Sequence, residues 1–162
     1  MLTYEQIIAK CITWEEARRL FSPRFRKDKQ LVFTNGCFDL LHRGHIYYLS
    51  RARALGDMLV VGLNSDTSVT LLKGPGRPVN GQEARAEVLG ALAFVDYILI
   101  FDEETPLNLI NWLEPDILVK GGDYQVKDIV GYQEVISRGG RVETIPLLEG
   151  YSSSSIIDGN KA

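Results

Sequence analysis

The chain has 162 residues, 45% hydrophobic and 24% charged, with a net charge of −3. That length suits one domain around a single sizeable core, and the balance excludes a disordered chain. A mildly acidic chain with no apolar run near the roughly 20 residues that cross a bilayer is expected to bind neither nucleic acid nor membrane.

The first stretch, MLTYEQIIAKCITWEEARRLF, is too charged for a secretory leader and reads as two short helices. Thr13 and Glu16 have the spacing of a capping box ahead of the second. Cys11 and Cys37 form neither a disulfide framework nor a zinc spacing, which fits a reducing cytoplasm. The polar, basic connector SPRFRKDKQ follows, so residues 1–29 are expected as a helical extension and residues 30–162 as the main domain.

Beyond it, apolar runs at 31–34, 58–63, 97–101, 116–120 and 141–146 alternate with helical candidates near 44–55, 65–72, 82–93, 105–113 and 127–138. Runs this continuously apolar suit strands buried on both faces. The rhythm predicts an α/β fold, a doubly wound, mostly parallel five-stranded Rossmann-like sheet with helices on both faces. Ligands of such sheets bind beyond the carboxyl ends of the strands. The loops at 35–43, 64–67, 102–105, 121–126 and 147–152 are therefore where a site is expected.

The first of these loops lies in TNGCFDLLHRGH, residues 34–45. Asn35 and Gly36 tolerate a tight turn and leave backbone N–H groups open. The helix that follows offers more open N–H groups and a partial positive charge, a setting for phosphate. His42 and His45, three residues apart, project to one side of that helix, and they are the chain's two histidines. Gly44 between them is expected to clear space for a ligand. Zinc would need a third ligand that no motif supplies. Cys37 reads as a small residue packed in a turn, and Asp39 as a cap on the next turn in preference to a partner for a histidine.

In LLKGPGRPVNGQEAR, Lys73 and Arg77 fall in a loop suited to phosphate contact, whereas Arg85, on a helix, is expected in solvent. Asp66 either meets acceptor hydroxyls or caps a helix. VKGGDY puts Gly121 and Gly122, flanked by Lys120 and Asp123, at a strand end that a base or ribose could approach. In EGYSSSSIID, Ser152, Ser153 and Ser154 open a helix as a second phosphate seat, with Ile156 and Ile157 docking it. The closing GNKA is expected to lack order.

His-x-Gly-His after a first strand, with a serine-rich helix start near the C-terminus, resembles the nucleotidyltransferase superfamily. FTNGCFDLLHRGH, GLNSD, LKGPGRPVN, ALAFVDYILIF, PDILVKGGDY and EGYSSSSII are more similar still to the adenylyltransferases of ADP-heptose synthesis, across residues 30 to 158. The resemblance implies transfer of AMP from ATP to D-glycero-D-manno-heptose 1-phosphate, a precursor step for lipopolysaccharide or another surface glycan. It makes His42, His45 and Lys73 catalytic. It places Thr34, Asn35, Gly36, Cys37, Phe38, Lys120, Gly121, Gly122, Asp123, Ser152, Ser153 and Ser154, with the histidines, around the nucleotide. Asp66, Lys73 and Arg77 would meet the sugar phosphate. Mg²⁺ would come with ATP rather than be held by a metal site, and a separate sugar kinase would act upstream. A homodimer through the N-terminal helices is in keeping with the family. Leu147 stands where glycerol- and choline-phosphate cytidylyltransferases carry an arginine. The alternatives are a cytidylyltransferase acting on a polyol or amino-alcohol phosphate, and a nucleotide-binding module without chemistry.

Overall fold

A computed structural model describes residues 2–22, 26–157 and 159. The expectation of disorder in GNKA falls, Gly159 apart, outside them. Two capped helices open the chain: α1, Tyr4–Ile8, on a Thr3–Gln6 capping box, and α2, Trp14–Leu20, on the Thr13–Glu16 box. Five strands follow: β1 (Leu31–Gly36), β2 (Met58–Asn64), β3 (Tyr97–Phe101), β4 (Ile117–Gly121) and β5 (Arg141–Ile145). Between β1 and β2 lies α3 (Arg43–Arg53); α4 (Asp66–Lys73) and α5 (Gln82–Gly90) join β2 to β3. Next come α6 (Leu107–Leu113), a 3-10 turn at Val126–Asp128, α7 (Tyr132–Ser137) and, after β5, α8 (Ser153–Ile157).

The sheet is parallel throughout, in the order β3-β2-β1-β4-β5. Both faces are covered, as the apolar runs require. Leu31, Phe33, Val60, Leu99 and Leu118 face α2, α6 and α7, while Val32, Leu59, Val61, Ile98 and Ile117 face α3 and α5. Each fully buried leucine or phenylalanine of this kind contributes about 1.5–3 kcal/mol. Ile12, Ala17 and Phe21 of the N-terminal segment join the first cluster, and Cys11 bridges to Ile98 beside β3. Among the described residues no helix is long and apolar enough to cross a membrane.

The two ends of the sheet differ chemically. At the amino ends, carboxylates accept N–H groups in or just before the strands: Asp116 from Leu31 at 2.7 Å, Asp96 from Leu59 at 2.8 Å and Asp57 from Gln30 at 2.8 Å. These acids serve structure. At the carboxyl ends, strand order reverses between β1 and β4. β1 pairs with β2 from Leu31–Met58 to Gly36–Leu63, but with β4 at Val32–Ile117 and Phe33–Leu118. The next rung would join Thr34 to Val119. There the Tyr48 hydroxyl is inserted instead, donating to the Val119 carbonyl at 3.1 Å and lying 2.5 Å from Thr34 Oγ1. Because the tyrosine proton goes to Val119, Thr34 supplies the other one. The wedge opens the crevice where a doubly wound sheet binds its ligand.

Candidate active site

His42 is the N-cap of α3 in extended backbone, and its side chain makes no capping hydrogen bond. The Arg43 and Gly44 N–H groups therefore stay open toward a ligand, whereas the His45 N–H donates to the His42 carbonyl at 2.9 Å. The imidazoles of His42 and His45 stack at 3.9 Å with 21° between planes, and Phe38 meets His45 edge-on at 5.2 Å. Phe38 holds this position with φ of 46°, a strained value for a residue with a side chain. Gly44 lines a cavity beside the histidines and has a further steric reason to lack a side chain. A Cβ there would come within 3.0 Å of the His42 ring and 3.2 Å of Tyr151 Cβ, so it makes room for the histidine stack itself.

Nδ1 of both histidines is buried without a hydrogen-bond partner. A buried polar atom left unpaired costs about 1–3 kcal/mol and calls for an explanation. Burial pushes the His45 pKa from 6.5 down to about 4, with His42 adding to the effect and the Leu40 backbone opposing it. Burial also lowers His42. At neutral pH the pair is thus uncharged in the free protein and poised to donate to an incoming anion.

Two cavities meet here. The smaller, about 290 Å³, is lined by His42, Gly44, Tyr48, Gly121, Leu147, Leu148, Tyr151 and Ser152. The larger, about 600 Å³, is lined by Asp39, Asn64, Lys73, Arg77, Glu104, Thr105, Tyr124, Asp128, Ser153 and Ser154. Asn35, Gly36, Cys37, Phe38, His45 and Lys120 line both. The smaller cavity offers apolar and aromatic walls suited to a flat base, the larger one polar groups suited to a hydroxylated phosphate. Tyr151 closes over the histidines, its ring 6.3 Å from His42 and its hydroxyl accepting from Arg43 at 3.3 Å. Ser153 Oγ donates to the Leu40 carbonyl at 2.8 Å, tying α8 to the first loop.

The structure corrects several expectations. Thr34, expected near the reacting phosphates, lines neither cavity: its side chain is fully buried behind the crevice, on Tyr48. Asp39 does not cap the next turn. It is buried and holds the 77–80 loop, accepting from Arg77 Nε at 2.7 Å, Val79 N at 2.8 Å and Asn80 N at 3.1 Å. Those donors keep its carboxyl below the ordinary range, although burial works the other way. Asp66 lines neither cavity, because its carboxylate accepts from Arg85 at 2.8 Å. Gly122 and Asp123 also stand outside both cavities, the first buried and the second exposed.

Arg85, expected in solvent, is 2% exposed and is the hub of the site. It donates to the carbonyls of Cys37 at 2.6 Å, Asn64 at 2.8 Å and Asn80 at 2.9 Å as well as to Asp66. It thereby ties the loops after β1 and β2 to the 74–81 segment. Sequence reading also missed Tyr48 and Asp128, which belong to no motif, and Tyr151, Glu104 and Thr105, which lie in stretches it singles out without naming them. Arg85 did leave a sign, since it shares a helix face with Leu89, four residues on.

Comparison with known proteins agrees with this geometry. Residues 33–159 match the cytidylyltransferase-like family model. The chain is 55% identical over 144 residues to the bifunctional protein HldE of Syntrophotalea carbinolica, covering 89% of this chain and 29% of that one. It is 57% identical over 130 residues to that of Geobacter sulfurreducens, covering 80% and 26%. The chain thus spans less than a third of these relatives' length. The crystal structure of a lipopolysaccharide core biosynthesis protein from Thermoplasma volcanium superposes with a TM-score of 0.60 at 27% identity, covering 76% of this chain and 99% of that one. A pantothenate synthetase from Thermus thermophilus shares the fold, with a TM-score of 0.62 at 20% identity, covering 90% and 66%.

Proposed function

The chain belongs to the cytidylyltransferase-like family, and on that premise we propose that it is an adenylyltransferase carrying AMP from ATP to D-glycero-D-manno-heptose 1-phosphate, giving ADP-heptose and pyrophosphate in the cytoplasm. The observation that carries this reading is the stacked histidine pair, whose Nδ1 atoms lack partners, with His42 on the smaller cavity and His45 on the wall shared by the two cavities. Residues 30–162 would be the catalytic unit and residues 1–29 an extension packed on it. Leu2, Tyr4 and Ile8, exposed on that extension, offer a face for a second copy.

In this reading adenine lies in the smaller cavity, among Leu147, Leu148 and Tyr151, with the glycine backbone at 121 at its edge. The triphosphate runs past Asn35 to Phe38 toward the open first turn of α3, where His42 and His45 hold the β- and γ-phosphates. Ser152, Ser153 and Ser154 border the same path. Lys73 and Arg77 draw the sugar phosphate into the larger cavity. One acceptor oxygen attacks the α-phosphorus, the bond from that phosphorus to the β-phosphate oxygen breaks, and pyrophosphate leaves. No side chain needs to become covalently attached. Cys37, whose thiol burial pushes up, is suited to packing rather than attack.

Mg²⁺ would supply charge neutralisation on the triphosphate. Among the described residues no three His, Cys, Asp or Glu side chains group as a metal cage, and Asp39 is committed to the 77–80 loop. The residues present therefore fit an ion that brings phosphate oxygens and water as its ligands. The heptose 1-phosphate would come from a separate sugar kinase reaction.

The test is an acceptor and nucleotide scan. Each of ATP, CTP, GTP and UTP is offered with Mg²⁺ and either anomer of the heptose 1-phosphate, or a polyol phosphate, and pyrophosphate release is measured. ATP with one heptose anomer should be turned over fastest. Silence there, with turnover of CTP and the polyol phosphate, would replace this reading by a cytidylyltransferase.

A further inference from the structure

We infer that Lys120 is a catalytic residue that contacts the α-phosphate during transfer, a role that deepens the nucleotidyltransferase reading and rests on it. Six residues line both cavities, and Lys120 is the one lysine or arginine among those six. The other cations nearby are placed or occupied differently. Arg77 is bound by Asp39, Arg85 by Asp66 and backbone carbonyls, and Lys73 is exposed and lines the larger cavity alone. Lys120 is half-buried, and its ammonium has no hydrogen-bond or ion-pair partner among the described residues.

Holding an unpaired ammonium partly out of water is unfavourable, so a sequence selected for stability alone would not keep it there. Burial lowers its pKa, with Cys37 opposing, in keeping with a cation short of its counter-ion. Its backbone is fixed at the same time. The preceding carbonyl, Val119, accepts from the buried Tyr48 hydroxyl at 3.1 Å, the wedge that sets the crevice between β1 and β4. An anion spanning the two cavities must pass this side chain.

The chemistry needs a cation at that point. As the acceptor oxygen bonds to the α-phosphorus and the bond to the β-phosphate oxygen breaks, two anions are forced together and negative charge shifts onto the leaving pyrophosphate. An ammonium touching the α-phosphate stabilises that arrangement more than it does bound ATP alone. Lys120 keeps its proton throughout.

The test compares wild type, Lys120→Met and Lys120→Arg in the full chain, using whichever nucleotide and acceptor wild type turns over fastest. A failure of the heptose reading then leaves this measurement intact. Lys120→Met should lose about a hundred-fold or more in kcat while its calorimetric Kd for the triphosphate stays within about threefold, with Lys120→Arg in between. Lys120→Met should also melt at the same or a higher temperature, which a merely structural lysine would not allow. A loss confined to triphosphate affinity, turnover within about threefold of wild type, or a clear drop in melting temperature would overturn the assignment.

Discussion

Replacing His45 with alanine lowers turnover by about two to three orders of magnitude, with a much smaller loss of ATP affinity. The asymmetry follows from where His45 stands. It belongs to the wall common to both cavities, stacked on His42 at 3.9 Å and wedged against Phe38, so its ring cannot swing away. On the proposed reading, the charge near the β-phosphate of bound ATP would be shared with Mg²⁺ and with the Arg43 and Gly44 N–H groups of α3. As pyrophosphate leaves, that charge grows, and a donor fixed in a poorly solvated place gains most at that moment. The measurement is steady-state kcat beside an independent binding constant. Activity equal to wild type would remove His45 from the catalytic set.

The Arg85→Ala variant loses about 3–5 kcal/mol of stability, as expected when one partner of a buried charged network is deleted. For a chain of this size that lowers the melting temperature by roughly 10 °C. Three carbonyls, those of Cys37, Asn64 and Asn80, lose their donor, and Asp66 loses its cation. The consequence reaches the chemistry, because these carbonyls belong to the loops that shape the larger cavity. Lysine is a poor replacement, since one ammonium cannot reproduce the planar fork that serves four acceptors. Thermal melts of Arg85→Ala and Arg85→Lys check this. A shift under about 2 °C for the alanine variant would contradict the hub.

The sheet was legible in the sequence because burial on both faces demands continuous apolar runs, which nothing else in a chain this polar imitates. The helices were legible except at their ends. The helix expected near 127–138 starts later, at Tyr132, after a 3-10 turn, because Gly131 takes φ of 92° and interrupts the backbone. The histidine pair and the serine segment were visible because each is a local pattern at a strand or helix end. Contacts made at long range were not. Asp39 reaches the loop 38 to 41 residues away, and Arg85 reaches back 48 residues to Cys37. Locally, Asp39 looks like a cap and Arg85 like a solvated helix residue. Asp66 was undecided between two roles and takes a third, because the cation that claims its carboxylate is buried under it. Thr34 carries the right chemistry for phosphate, but its place two residues inside the end of the strand turns its hydroxyl to Tyr48.

The chain contains two histidines, so their imidazole resonances can be assigned by substituting either one. Following both by NMR during titration with a non-hydrolysable ATP analogue tests most directly whether this pair holds the triphosphate. An anion beside the rings favours their charged form. Both signals should therefore move, and the His45 midpoint should climb from about 4 toward or past 6.5, with nucleotide binding tightening as pH falls. Resonances and midpoints unchanged at saturating nucleotide would contradict the account.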